Sequence, residues 1–318
     1  MDIEYAAAPE APEVIPPGIQ WGRVEVDGGR VLHGHGGSGP LVVFLHGWAA
    51  GPHVYRDPIL QLLPLGCRVV APALPGFAGT AALRGEECSF EGYARWIVRY
   101  LDSVGIEEPV MMLGHSFGGG VGIQMAHDFP DWVRGVLICN SVGGPATWSS
   151  AGDSDGGVPQ PPPRGWRRRM ISGELFGLPA MAKVVPGFLE DAVPNVIHNP
   201  LALWRVADFI RRSSLMQAAK VIADRRVSVT VVSSDRDRLV PHDSFSALCK
   251  AFGVDGVVTR GYHNWLLSQP EDFSDIALRA LADAGVMDDI IAAKQQAKSA
   301  QAAAVGDIST GMTALTGM

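Results

Sequence analysis

Val110-Met111-Met112-Leu113-Gly114-His115-Ser116-Phe117-Gly118-Gly119 is the stretch that decides how this chain reads. A four-residue apolar run leads into Gly-x-Ser-x-Gly, and apolar residues at helical spacing follow from Val121 to Phe129. Strand, tight turn and helix in that order push a serine hydroxyl out at the top of a sheet. Glycines flank such a serine because the backbone is crowded and a Cβ would clash. A serine hydroxyl is a weak nucleophile at neutral pH. It needs a base within hydrogen-bond reach, a third group that orients the base, and donors aimed at a developing oxyanion. If Ser116 is a nucleophile, the rest of the chain must supply those parts.

Upstream, Leu41 to Leu45 is a continuous apolar run, as expected of a strand buried on both faces, and it ends at His46-Gly47-Trp48. A helix is expected over roughly 52–63, then a strand at Cys67 to Ala71. Tyr93, Trp96, Ile97, Tyr100, Leu101 and Val104 repeat at the spacing of an amphipathic helix. Further upstream, Gly22 to Val26 and Arg30 to His35 flank Asp27-Gly28-Gly29, the pattern of a hairpin. Downstream, Val133 to Cys139 reads as the next strand. The alternation then stops. Residues 143–165 are rich in Gly, Ser, Asp and Pro, and 166–226 are helical in patches without a strand signal.

The sheet pattern resumes at Val227 to Val232, followed by a helix over Pro241 to Phe252, a last strand at Gly256 to Thr259, and a helix marked by Phe273, Ile276, Ala277, Ala280 and Leu281. These segments predict an α/β fold: a doubly wound, mostly parallel, eight-stranded sheet with an inserted helical cap. The expected divisions are an extended arm at 1–20, a core at 21–141 and 227–286, a cap at 142–226 and a low-complexity tail at 287–318. In such sheets the ligand site lies beyond the carboxyl ends of the strands, where His46, Ser116 and Asn140 all fall.

Composition narrows the classes. The 318 residues are 47% hydrophobic and 19% charged, with a formal net charge of −7, which argues against a nucleic-acid partner. Cys67, Cys88, Cys139 and Cys249 are widely spaced and read as reduced thiols, not as a disulfide frame or zinc site. No metal or cofactor is expected. The acidic, then Pro-rich N-terminus does not read as a signal peptide, and no apolar run is long enough to span a bilayer, so a cytoplasmic location is expected. Residues 164–226 carry eleven Lys/Arg against five Asp/Glu; solvated helix faces explain this more simply than a mouth for anions.

For the base, His263 in Gly261-Tyr262-His263 follows the last strand; His115 and His46 are rivals. For the acid, Asp235 and Asp237 both follow the strand at 227–232. For the oxyanion donors, the amide after the nucleophile is that of Phe117, and the second is expected from the His46-Gly47-Trp48 loop, at Trp48. Pocket walls are expected from His46, Trp48, His115, Trp204 and Trp265.

These pieces resemble the α/β-hydrolase superfamily in its lid-bearing form. The resemblance is carried by His46-Gly47-Trp48, Leu74-Pro75-Gly76-Phe77-Ala78-Gly79, Gly114 to Gly119, Ser234 to Pro241 and Gly261-Tyr262-His263, over about 22–145 and 225–285. Serine, acid, histidine is also that family's chain order. Members often show Gly-x-x-Asp-x-x-Val-Pro at the acid, and aligning Val240-Pro241 to it puts Asp237 in the acid position. The sequence departs from the family at Ala73, Ala78, Ser234 and Tyr262, none of which is a triad position.

The resemblance implies a Ser116-His263-Asp237 triad. A serine at the elbow argues against the aspartate-based dehalogenases and epoxide hydrolases of this fold. A carboxylesterase acting on a small, apolar ester is the leading expectation. A C–C bond hydrolase or a cofactor-free perhydrolase on the same triad is the alternative, and a non-catalytic receptor of this fold is the alternative of another class.

Overall fold

The computed structural model describes residues 18–145, 185–198, 201–292 and 295. Eight strands form one sheet in the order β1-β2-β4-β3-β5-β6-β7-β8. β1 (Gln20–Val26) and β2 (Gly29–Gly37) make the hairpin read from the sequence. It turns at Asp27 and Gly28, whose φ values of 52° and 73° suit the left-handed two-residue turn that matches strand twist. β2 is antiparallel to β4 as well, and every pair beyond β4 is parallel.

β3 (Leu41–Leu45) and β5 (Val110–His115) lie at the centre and are buried at every position. Their side chains alternate between two cores. Leu41, Val43, Leu45 and Met112 join one, and Val42, Phe44, Met111 and Leu113 the other, as a period of two requires. β4 (Arg68–Pro72), β6 (Val133–Cys139), β7 (Ser228–Ser234) and β8 (Val257–Thr259) complete the sheet.

The helix expected at 52–63 is shorter and split. A 3-10 turn covers Pro52–Tyr55 and α1 covers Arg56–Leu60. Pro52, Pro58 and Pro64 lack the donors that a longer helix would need. α2 (Phe90–Ser103) begins where the Ser89 hydroxyl accepts the Gly92 N–H at 3.2 Å, an N-cap. α3 (Phe117–Asp128) follows Ser116 directly.

Beyond β6 come α4 (Val185–His198), α5 (Ala202–Arg212) and α6 (Met216–Asp224), with no strand among the described residues before β7. α7 (His242–Phe252), α8 (Trp265–Ser268) and α9 (Pro270–Asp283) close the fold.

Packing at two expected boundaries is specific. Within the segment expected as a cap, α6 has Ala218, Ala219 and Ile222 buried in the same core as α3 and α7, and it lies on the crossover that a parallel β6–β7 pair needs. The packed core also runs past 286, because residues 286–292 are helical and Ile290 is buried beside α9. The expected loop from 146 onward, the arm before residue 18 and most of the tail lie outside the described residues.

Cys67 and Cys139 are buried and Cys88 and Cys249 half-buried. Among the described residues no helix is long and apolar enough to cross a membrane, and no cluster of three metal-ligating side chains occurs.

Candidate active site

Ser116 sits between β5 and α3 with φ 52° and ψ −112°, a conformation strained for any residue with a Cβ. The flanking glycines make it possible. A Cβ on Gly114 would lie 2.5 Å from the Gly118 carbonyl oxygen, and one on Gly118 would lie 2.2 Å from that of Leu45. The Ser116 N–H donates to the Cys139 carbonyl at 2.9 Å, which ties the turn to β6. The Phe117 amide is the first of α3, ahead of the Gly119 and Gly120 N–H groups that donate to the Ser116 carbonyl, so no helical carbonyl precedes it to accept its proton.

The structure brings His263 and Asp237 together. His263 Nδ1 lies 2.9 Å from Asp237 Oδ2, and both side chains are almost wholly buried. Asp237 Oδ1 accepts the N–H groups of Leu239 (2.8 Å) and Val240 (3.0 Å), and Oδ2 also accepts Asn140 Nδ2 at 2.6 Å. Burial pushes the Asp237 carboxyl up; the charge and hydrogen bond of His263, with the bonds from Asn140 and Val240, outweigh it and hold the group below its ordinary value. Asp235 faces elsewhere: it is exposed, and its carboxylate accepts the Gly261 N–H at 2.8 Å.

Asn140 was visible in the sequence only as a strand end. Its Oδ1 accepts Trp265 Nε1–H at 2.7 Å, which fixes the orientation of the amide because indole can only donate. Its Nδ2 then donates to Asp237 and to Ser234 Oγ, and Ser234 donates onward to the Tyr262 carbonyl. One departure from the family pattern, Ser234, is thus a partner in the hydrogen-bond network around Asp237, with the Tyr262 backbone carbonyl as its acceptor.

A second network joins three loops. The Gly47 N–H donates to Tyr55 Oη (3.0 Å), Tyr55 O–H donates to His115 Nδ1 (2.7 Å), and His115 Nε2–H donates to the His263 carbonyl (2.9 Å). Burial lowers the His115 pKa to about 3, and the nearby His263 lowers it too, so the ring is neutral and its two nitrogens can play these opposite roles. Tyr55 carried no signal in the sequence beyond membership of an apolar helical segment.

Ser116, His263, Gly47, Trp48 and His115 line a cavity of about 50 Å³, walled by apolar side chains such as Val54, Phe188, Ile210, Leu239 and Leu267. Three expected wall residues lie elsewhere. His46 is fully buried; its Nδ1 donates to the Gly47 carbonyl and its Nε2 accepts the Leu74 N–H, so it braces the loop from behind, and burial lowers its pKa to about 4. Trp265 is spent on Asn140. Trp204 lies behind Trp48, with ring centroids 6.2 Å apart. No Lys or Arg is among the described residues lining the cavity.

An elbow serine, a buried histidine–carboxylate pair and a loop rich in amides at the ends of β3, β5, β7 and β8 define a hydrolase-type site on an α/β sheet. The model of the alpha/beta hydrolase family matches residues 42–276, and the chain belongs to that family. The 2-hydroxy-6-oxo-2,4-heptadienoate hydrolase of Pseudomonas putida is 26% identical over 231 residues, 69% of this chain and 80% of the relative. The enol-lactonase of Burkholderia xenovorans LB400 superposes with a TM-score of 0.64 at 17% identity, covering 82% of this chain and all of the other. A thermophilic esterase from Thermogutta terrifontis superposes with a TM-score of 0.61 at 16% identity, covering 83% of this chain and 99% of the other. At those identities the two structures speak for the fold alone.

Proposed function

We propose that the protein is a serine hydrolase that cleaves a small, uncharged carboxylic ester or lactone through an acyl-enzyme. The observation that carries this reading is the buried His263–Asp237 pair opening onto the same apolar cavity as Ser116. Ser116 Oγ attacks the ester carbonyl while His263 Nε2 takes its proton. Asp237 holds Nδ1–H and stabilises the imidazolium. The amides of Phe117 and Trp48 receive the oxyanion. Collapse expels the alkoxide, which His263 protonates, and water then attacks the acyl-enzyme with His263 again as base.

The identity with the heptadienoate hydrolase favours a second reading, hydrolysis of a C–C bond on the same triad. That relative's name describes a carboxylate substrate, and a carboxylate needs a cation that the described cavity wall lacks, so the neutral ester is preferred.

The test is hydrolysis of p-nitrophenyl acetate and butyrate by the wild type and Ser116→Ala, with fluorophosphonate labelling of both. Wild-type turnover and labelling should vanish with Ser116. Equal rates in the two proteins would overturn the reading, and so would labelling that survives His263→Ala undiminished.

A further inference from the structure

The segment 47–55 joins the candidate site to both helices beside it. At one end, Trp48 Nε1–H donates to the Leu203 carbonyl of α5 at 2.8 Å. At the other, Asp191 of α4, only 1% exposed, accepts His53 Nδ1–H at 2.7 Å on Oδ1 and the Val54 N–H at 3.4 Å on Oδ2. Glu190 stands 3.7 Å from the same His53 nitrogen but is largely in solvent. The Trp21 ring packs on His53 with centroids 4.4 Å apart.

Two glycines let the helix and segment meet. A Cβ on Gly51 would lie 2.5 Å from the Asp191 carboxyl carbon, and one on Gly187 would lie 2.9 Å from the His53 carbonyl oxygen. One residue further along the segment, Tyr55 bonds the Gly47 amide and His115. A carboxylate this deeply buried is costly unless it is paired and hydrogen-bonded. Nothing in the proposed chemistry uses it.

We infer that Asp191 is a positioning residue: its clasp on His53 and the Val54 amide holds segment 47–55, and with it the Trp48 amide, in register with Ser116. The seating of α4 thereby sets the oxyanion loop. Phe188 lies on the same helix and lines the cavity, so one seat governs both the cavity wall and the donor. The inference rests on the serine-hydrolase reading for its catalytic consequence only; the mechanical link between α4 and the segment stands apart from it.

The experiment compares wild type, Asp191→Ala, Asp191→Asn, Gly51→Ala as a neutral wedge, and Glu190→Gln as the control, all in the full chain. Two quantities are measured: kcat and KM for p-nitrophenyl acetate, and hydrogen exchange in peptides spanning 47–55. Asp191→Ala and Gly51→Ala should lower kcat by roughly tenfold with KM nearly constant, part of the loss expected from removing an oxyanion donor outright. Exchange in 47–55 should rise with them. Asp191→Asn, which keeps an acceptor, should fall between, and Glu190→Gln should match wild type.

A raised KM with unchanged kcat would make Asp191 a pocket residue and overturn the inference. Unchanged exchange in 47–55 would overturn it too. Should Asp191→Ala not fold, the Asn and Gly51 variants decide by the same readouts. A wild type that neither turns over acetate nor takes the fluorophosphonate label would sink the hydrolase reading, and the exchange measurement would still decide the clasp.

Discussion

At the scale of single residues, the two aspartates after β7 separate cleanly. Asp237 holds His263, and Asp235 holds only a backbone amide at the surface. Asp237→Asn should lower kcat by about 10⁴, the loss seen when a serine hydrolase's histidine is left in the wrong tautomer. Asp235→Asn should change it by less than about threefold, because an exposed turn contact is worth little. Steady-state rates on one ester check both, and equal losses would assign the acid wrongly. Tyr55→Phe makes a different prediction. It leaves the Gly47 amide and His115 Nδ1 buried without their partner, so urea unfolding should report a loss of about 1–3 kcal/mol. The kcat should fall by roughly 10- to 100-fold, as a slightly misplaced donor implies. A variant as active as wild type would remove Tyr55 from the site.

What could be read from the sequence follows the same division. Ser116, His263 and Asp237 lie in short local patterns, each next to the strand that presents it, so a linear reading can find them. Tyr55 and His115 are 60 positions apart, and Asn140 and Trp265 are 125 apart; only the closed sheet brings them together. His46 and Trp265 are expected at the pocket wall, and a linear reading does not show which other loops their ring nitrogens reach. Here both are drawn into the hydrogen bonds that brace the loops.

At the scale of elements, the alternation of strands and helices was legible because buried parallel strands are short apolar runs set between amphipathic helices. The packing of α6 was not. α6 looks like α4 and α5 in composition, and only its burial against α3 and α7 shows that it packs in the main core. The β5–α3 junction also makes a prediction. At Gly118 the helix passes so close to β3 that a Cβ would sit 2.2 Å from backbone. Gly118→Ala must therefore push α3 off the sheet. It should cost more than about 3 kcal/mol, the scale of a severe core mutation, despite Ala being the better helix former. A urea midpoint at or above wild type would contradict that packing.

At the scale of the whole molecule, buried histidines set the acid response. His115 and His46 keep their neutral forms far below their ordinary pKa of 6.5, at about 3 and about 4, chiefly because burial penalises the charge. Unfolded histidines protonate near 6.5 and the folded ones refuse the proton. Stability is thus full above pH 6.5 and falls below it, by about 1.4 kcal/mol per pH unit for each group, until the folded pKa is reached. The depressed Asp237 carboxyl acts in a lower window: its stabilisation is present above about pH 4 and is lost as pH falls through its folded value. Urea melts between pH 7 and pH 4.5 should show midpoints dropping steadily with acid. A flat profile over that range would mean that these rings are hydrated.

The placement of the four thiols has a practical side. Cys67 and Cys139 are sealed into the sheet, whereas Cys88 and Cys249 reach partway to the surface. Burial pushes the Cys88 thiol up, and the charge of Arg205, on α5, pulls partly against it. A fluorophore attached at Cys88 would therefore stand on the main body within reach of α5's electric field, a native vantage point for watching that helix without engineering a new cysteine into the chain.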